Sequence, residues 1–145
     1  MTATRHVDTA QLMELLSVSL AAYYGDFTVA AASEDLTASQ GRTLNVLRRG
    51  PASMSALATT LTCDASNMTG IVGRLEKRGL VRREPSPSDR RVKNVVLTAE
   101  GERVVDVIRG KMHHTLAGLD RLSPQERATL YALLERVFTS QLAAA

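Results

Sequence analysis

The sequence predicts a mainly α protein with one small β-hairpin, an α+β chain folded as a single domain over residues 1–145. Three observations lead there. Apolar residues recur at three- and four-residue spacings over most of the chain, the period of amphipathic helices. The pattern changes once, after Gly79, to two short runs around a Pro/Ser/Asp loop. Positive charge is concentrated in the same region, where residues 74–93 hold eight of the 18 Lys and Arg residues.

The elements follow in order. From about Thr9 to Ala32, Leu12, Leu15, Leu16, Leu20, Tyr23 and Phe27 mark a long helix with one broad apolar face. Thr37 is a good N-cap for a second helix carrying Leu44, Val46 and Leu47, and Gly50-Pro51 stops it. Ser53 caps a short helix with Met54, Leu57, Ala58 and Leu61. Asp64 caps the next, from Ala65 to about Arg78, which Gly79 ends. Leu80 to Arg83 and Val92 to Leu97 flank the turn-forming run from Pro85 to Asp89, which reads as a hairpin. Thr98 caps a long helix, with Glu100 in its first turn, carrying Val104, Val105, Ile108, Met112 and Leu116. Ser123-Pro124-Gln125-Glu126 opens a last helix bearing Leu130, Leu133, Leu134, Val137, Phe138 and Leu142.

Two short helices followed by a hairpin form a winged helix-turn-helix, expected over residues 37–98. The flanking segments, 1–36 and 99–145, carry more apolar surface than a small monomer can bury. They are expected to be dimerisation helices.

Composition excludes several classes. Apolar residues make up 44% and charged residues 23%, which fits a folded globular chain rather than a disordered one. The residues show no unbroken apolar run of bilayer length and no signal-peptide pattern at Met1 to Asp8, so a cytoplasmic protein without a membrane role is expected. Cys63 is the single cysteine, so no internal disulfide can form. His6, His113 and His114 lack the companions of a metal site, and no phosphate loop, nucleophile elbow or carboxylate pair appears. Neither an enzyme nor a metal or cofactor is expected.

The charge is uneven. Residues 74–93 hold eight basic residues against three acidic ones, while the rest of the chain is net −2. One basic stretch on an otherwise slightly acidic protein points to a polyanion partner; a solvated basic surface is the alternative. As a helix, Asp64 to Arg78 puts Met68, Ile71, Val72 and Leu75 toward the core. Its other side is Ser66, Asn67, Thr69, Gly70, Gly73, Arg74 and Lys77, short and polar first and basic later. This suits insertion in a major groove. Asn67 can pair with adenine, Ser66 and Thr69 are adaptable donors and acceptors, and Arg74 and Lys77 can reach phosphates or guanine. Gly70 and Gly73 each weaken a helix by about 1 kcal/mol relative to Ala. Either something approaches the backbone closely there, or a neighbouring helix packs tightly. In the hairpin, Arg90 and Arg91 are adjacent, and Asp89 can orient one guanidinium by a bidentate pair. An arginine in a narrow minor groove gains from the negative potential there. Single-stranded nucleic acid is usually bound by stacking bases on aromatic side chains, and none of the five aromatic residues lies in the basic stretch, which favours duplex DNA over RNA.

These residues carry a family resemblance. The run from Leu57 to Val81, LATTLTCDASNMTGIVGRLEKRGLV, with DRR at Asp89 to Arg91 and LTAEG at Leu97 to Gly101, resembles the MarR family of bacterial transcriptional regulators. The resemblance implies a homodimer with interleaved N- and C-terminal helices. It also implies a pseudo-palindromic double-stranded DNA operator and, usually, repression. By position it assigns base and phosphate contacts to Ser66, Asn67, Thr69, Gly70 and Arg74. Arg91 would enter the minor groove, Asp89 would orient it, and Arg90 would contact phosphate. Many members of the family release DNA on binding a small aromatic or anionic effector between dimerisation helices and DNA-binding lobe. Tyr23, Tyr24, His113 and His114 are the corresponding candidates here, although such residues on a helix also serve as core or interface. The tryptophan of the urate-responsive subgroup is missing, and Cys63 is not where the peroxide-sensing subgroup has its cysteine. Two other readings stay open: a winged-helix module that binds an acidic protein, and a redox sensor acting through Cys63, which otherwise serves as a small buried residue.

Overall fold

The computed structural model describes residues 6–142. Helix α1 (Thr9–Ala32) is closed at its start by a capping box in which Asp8 and Gln11 each hold the other's backbone N–H. Helix α2 (Ala38–Leu47) starts the same way, from Thr37 and Gln40. Strand β1 (Ala52–Ser53) leads into α3 (Met54–Thr60), and α4 (Ala65–Lys77) follows, capped by Asp64. Gly79, at φ 71°, takes the left-handed conformation that turns the chain out of α4. Strands β2 (Val81–Pro85) and β3 (Lys93–Leu97) form the expected hairpin, with Arg83 opposite Val95.

Strand β1 pairs with the other edge of β3, giving a three-stranded antiparallel sheet in the order β1-β3-β2. The sequence reading missed β1, because two residues beside a proline carry no periodicity. The fold is a winged helix-turn-helix. Its core is one cluster around Leu44, Leu57, Met68, Leu75, Val95 and Ile108.

The long helix expected after Thr98 is broken in two: α5 (Ala99–Gly110) and α6 (His113–Asp120). Met112 stands at φ −77°, ψ 64°, and the His113 N–H donates to the Lys111 carbonyl at 2.9 Å, an inverse γ-turn. Burial of the Met112 side chain at this point favours the bend, and Gly110 supplies a weak last turn. Helix α6 has no N-cap side chain of its own. Asp26 of α1 replaces it, accepting the Thr115 N–H at 2.8 Å. That bond, together with the nearby His114, holds the Asp26 carboxyl below the usual range, opposed by some desolvation. Helix α7 (Pro124–Leu142) opens with the expected Ser123–Glu126 capping box.

The flanking helices are unlike those of a finished core. In α1 only Phe27, Ala30 and Ala31 are buried. Leu12, Met13, Leu15 and Val18 are each at least half exposed. No described residue of α7 is buried, and Tyr131 and Val137 stand 69% and 61% exposed. Residues 1–5 and 143–145, at the outer ends of the expected dimerisation segments, lie outside the described residues, as does the side chain of Leu142. By length and composition alone, α1 is long and apolar enough to cross a membrane. The helix nevertheless contains no unbroken apolar run of that length. An average over the helix tolerates an isolated charge such as Asp26.

Candidate nucleic-acid interface

Helix α4 divides its residues as its period dictates. Met68, Ile71, Val72 and Leu75 are buried, while Ser66, Asn67, Thr69, Arg74 and Lys77 are exposed. Asp64 accepts the Asn67 N–H at 2.7 Å, which satisfies the helix start and leaves the Asn67 side chain free of it. The Thr69 hydroxyl donates back to the Ala65 carbonyl at 2.9 Å, so it faces outward as an acceptor. A Cβ at Gly73 would meet nothing within 4 Å. One at Gly70 would meet only the guanidinium of Arg74, at 3.7 Å. Neighbouring helices therefore do not require either glycine, and the backbone of α4 is bare on this side.

Not all eight cations of the basic stretch are available. Arg82 pairs with Glu84 at 2.7 Å and Arg83 with Glu76 at 3.3 Å, while Arg78 reaches backbone carbonyls elsewhere in the fold. Arg74, Lys77, Arg90, Arg91 and Lys93 are exposed and have no acidic partner among the described residues. The five fall into two groups, two on α4 and three on the wing. Sequence counting could not make this division, because it depends on which carboxylates the sheet brings alongside.

The wing loop runs from Ser86 to Val92. It is closed by the Ser86 N–H donating to the Val92 carbonyl at 2.8 Å, and its turn by the Val92 N–H donating to the Asp89 carbonyl at 3.0 Å. The Asp89 carboxylate accepts the Arg91 backbone N–H at 3.0 Å. This is an Asx-turn, in which the acid shapes the chain rather than gripping a side chain. The sequence allows Asp89 to pair with one of the neighbouring guanidinium groups. Among the described residues it makes no ion pair, and its carboxylate holds the backbone of Arg91 instead.

The effector candidates separate. Tyr23 and Tyr24 pack edge to face, ring centroids 5.4 Å apart, and line a cleft of about 280 Å³ between α1 and α2. Arg42 lies 5.0 Å from the centre of the Tyr24 ring, and Asn45 and Arg49 complete the polar wall. His113 is not among the lining residues; it opens α6 and is exposed. Arg42, Asn45 and Arg49 were missed from sequence. Arg42 and Asn45 stand at i, i+3 on the polar side of α2, which was the available signal; Arg49 lies in the turn after the helix, where no period marks it. Cys63 is half-buried against the core, beside Arg42 and Leu61. Among the described residues no group of three or more His, Cys, Asp or Glu side chains is placed to hold a metal.

A helix-turn-helix with its second helix bare on the outer side, followed by a hairpin with a basic tip, defines a winged helix-turn-helix protein. The sequence model of the MarR family matches residues 36–93, from the end of the α1–α2 corner into β3. The repressor IacR of Pseudomonas putida is 35% identical over 109 residues, 72% of this chain and 64% of that one. The fold likeness extends to the flanking helices. The crystal structure of Rv1404 from Mycobacterium tuberculosis covers 94% of this chain and 96% of its own (TM-score 0.70, 26% identity). That of Escherichia coli MarR without ligand covers 92% and 98% (TM-score 0.63, 25% identity). This chain belongs to the MarR family. The matched stretch spans less than two thirds of the length of its curated relatives.

Proposed function

We propose that this protein is a sequence-specific, duplex-DNA-binding transcriptional regulator that acts as a homodimer on a pseudo-palindromic operator, as a repressor. The observation that carries this reading is the bare, polar outer side of α4, with unpaired cations on its later turns and on the wing beside it. Ser66, Asn67, Thr69 and Gly70 would meet base edges, Arg74, Lys77 and Arg90 would anchor phosphates, and Arg91 would probe the adjacent minor groove. Asp89 would hold the wing turn in shape for them. Membership of the family and likeness to a named repressor support the assignment. A DNA target would fit a cytoplasmic protein.

Release by a small effector is the second part of the proposal. The cleft beside Tyr23 and Tyr24 offers aromatic faces, and Arg42 and Arg49 offer positive charge, which suits an aromatic or anionic molecule. The cleft joins α1 to the DNA-binding lobe, so an occupant would act on the angle between them.

The test is binding to duplexes from the promoter regions around the gene, across a salt series. Half-sites about one helical turn apart should be bound tightly. Arg91→Ala should weaken binding roughly tenfold and lower the salt slope by about one unit. Unchanged affinity and slope for that variant would remove Arg91 from the interface, and absence of any specific complex would overturn the function.

A further inference from the structure

Arg78 ends α4, yet its guanidinium leaves the helix and reaches the corner between α1 and α2. Nη1 donates to the Asp35 carbonyl at 2.9 Å and Nη2 to the Glu34 carbonyl at 3.0 Å. The corner presents these two oxygens together because it is a tight helix ending. The Asp35 N–H donates to the Ala32 carbonyl, the Leu36 N–H to the Ala31 carbonyl, and Asp35 adopts a left-handed φ of 56°. A planar guanidinium fork can serve two adjacent acceptors at a fixed angle; an ammonium is a single point charge on a flexible stem. The same corner is held from α5. Lys111 donates to Glu34 Oε1 at 2.7 Å and to the Ser33 hydroxyl at 3.0 Å, from the joint where α6 departs. Three parts of the molecule thus meet at residues 33–36: the end of α1, the end of α4, and the α5–α6 joint.

We propose that Arg78 is a positioning residue for DNA recognition. It latches the C-terminal end of α4 to the end of α1 and so sets the angle of the reading helix against the helices that pair two copies. This rests on the DNA-binding reading above. A dimer must present two α4 helices to two half-sites at once, so an angular error in each is felt in the spacing it accepts. Arg78 therefore belongs to the basic stretch by sequence but not to the DNA contacts by role.

The experiment uses duplexes selected from a random-sequence pool by the wild-type protein. Versions with one base pair added to or removed from the centre provide the spacing test. Wild type, Arg78→Lys and Arg78→Ala are compared over a salt series, with circular dichroism to establish folding. Arg78→Ala should bind the selected duplex about three- to tenfold more weakly, the range that one or two hydrogen bonds provide. Its salt slope should match wild type, since no phosphate contact is lost. It should also discriminate less between correct and altered spacing, with Arg78→Lys intermediate. Hydrogen exchange in the free protein should quicken at residues 33–36 and 78–80. A salt slope smaller by about one unit would make Arg78 a phosphate contact and overturn the latch; so would unchanged affinity and spacing preference. If wild type selects no duplex, the DNA-binding reading fails instead. Hydrogen exchange then judges the latch alone, and unchanged exchange in both variants overturns it.

Discussion

Gly101 shows how single positions join the two motifs that marked this chain. The Thr98 hydroxyl donates to the Gly79 carbonyl at 2.6 Å and the Thr98 N–H to the Leu80 carbonyl at 3.1 Å, while Thr98 also caps α5 through the Gly101 N–H. The first turn of α5 is thereby pressed on the turn that ends α4. A Cβ at Gly101 would collide with the Leu80 carbonyl oxygen, which is backbone and cannot swing aside. Gly101→Ala is expected to destabilise by about 3 kcal/mol, the upper end of the usual range for overpacking, read as a lower urea midpoint. Gly73 should behave in the opposite way. With open space around it, Gly73→Ala should stabilise α4 by up to about 1 kcal/mol and yet weaken DNA binding, because on the proposed reading a methyl group would stand between the backbone and the DNA. A variant that is more stable and binds DNA as well as wild type would show that the bare backbone of α4 is not used.

Among the elements, α6 depends most on another part of the chain. Its own sequence offers no cap, and Asp26 supplies one from α1. Loss of that carboxylate should loosen the joint between α5 and α6. The folded-state pKa of Asp26 lies below its ordinary value of 3.8, chiefly because of the Thr115 backbone bond. Its stabilising contribution is therefore complete above that value and is lost as pH falls through the folded one. Asp26→Asn should be less stable than wild type at pH 7. The gap should hold down to about pH 5 and narrow as the carboxylate protonates below it. Urea midpoints for both proteins between pH 3 and pH 7 check this, and a gap independent of pH would remove the charge from the explanation. The break that creates α6 was not legible in the sequence. Apolar spacing runs on from Val105 through Met112 to Leu116, and the bend comes from where Met112 is buried.

At the scale of the whole molecule, the unpacked helices make the strongest demand. Most helix stability in proteins comes from packing an apolar side, and α7 has none of its described residues buried in this chain. A second copy covering α1 and α7 would supply that packing. The urea midpoint of wild type should then rise with protein concentration, as it does for a dimer whose folding and association are linked. The double variant Leu15→Glu, Leu133→Glu places charge on both exposed apolar surfaces, where the two residues stand 62% and 48% exposed. Sedimentation equilibrium should give the monomer mass for it and twice that mass for wild type. A variant that stays dimeric would place the contact elsewhere.

Local signals were enough for most of the fold. Caps at Thr37, Ser53, Asp64, Thr98 and Ser123, the stop at Gly79, and the apolar side of α4 are decided within a turn or two of helix, so they can be read along the chain. The polar and basic residues of the candidate interface were legible for the same reason, since one helix and one hairpin carry them all. Tertiary structure decided which cations are free. Arg82 and Arg83 meet carboxylates, and Arg78 meets backbone carbonyls more than forty residues away in sequence. It also decided that Asp89 shapes the wing turn through a backbone bond, that Asp26 caps a helix far along the chain, and that Tyr23 and Tyr24 line one cleft with Arg42 while His113 does not. Each of these depends on distances between segments that share no local period. Residue spacing within a segment cannot supply those distances; they exist only once the core has packed the segments together.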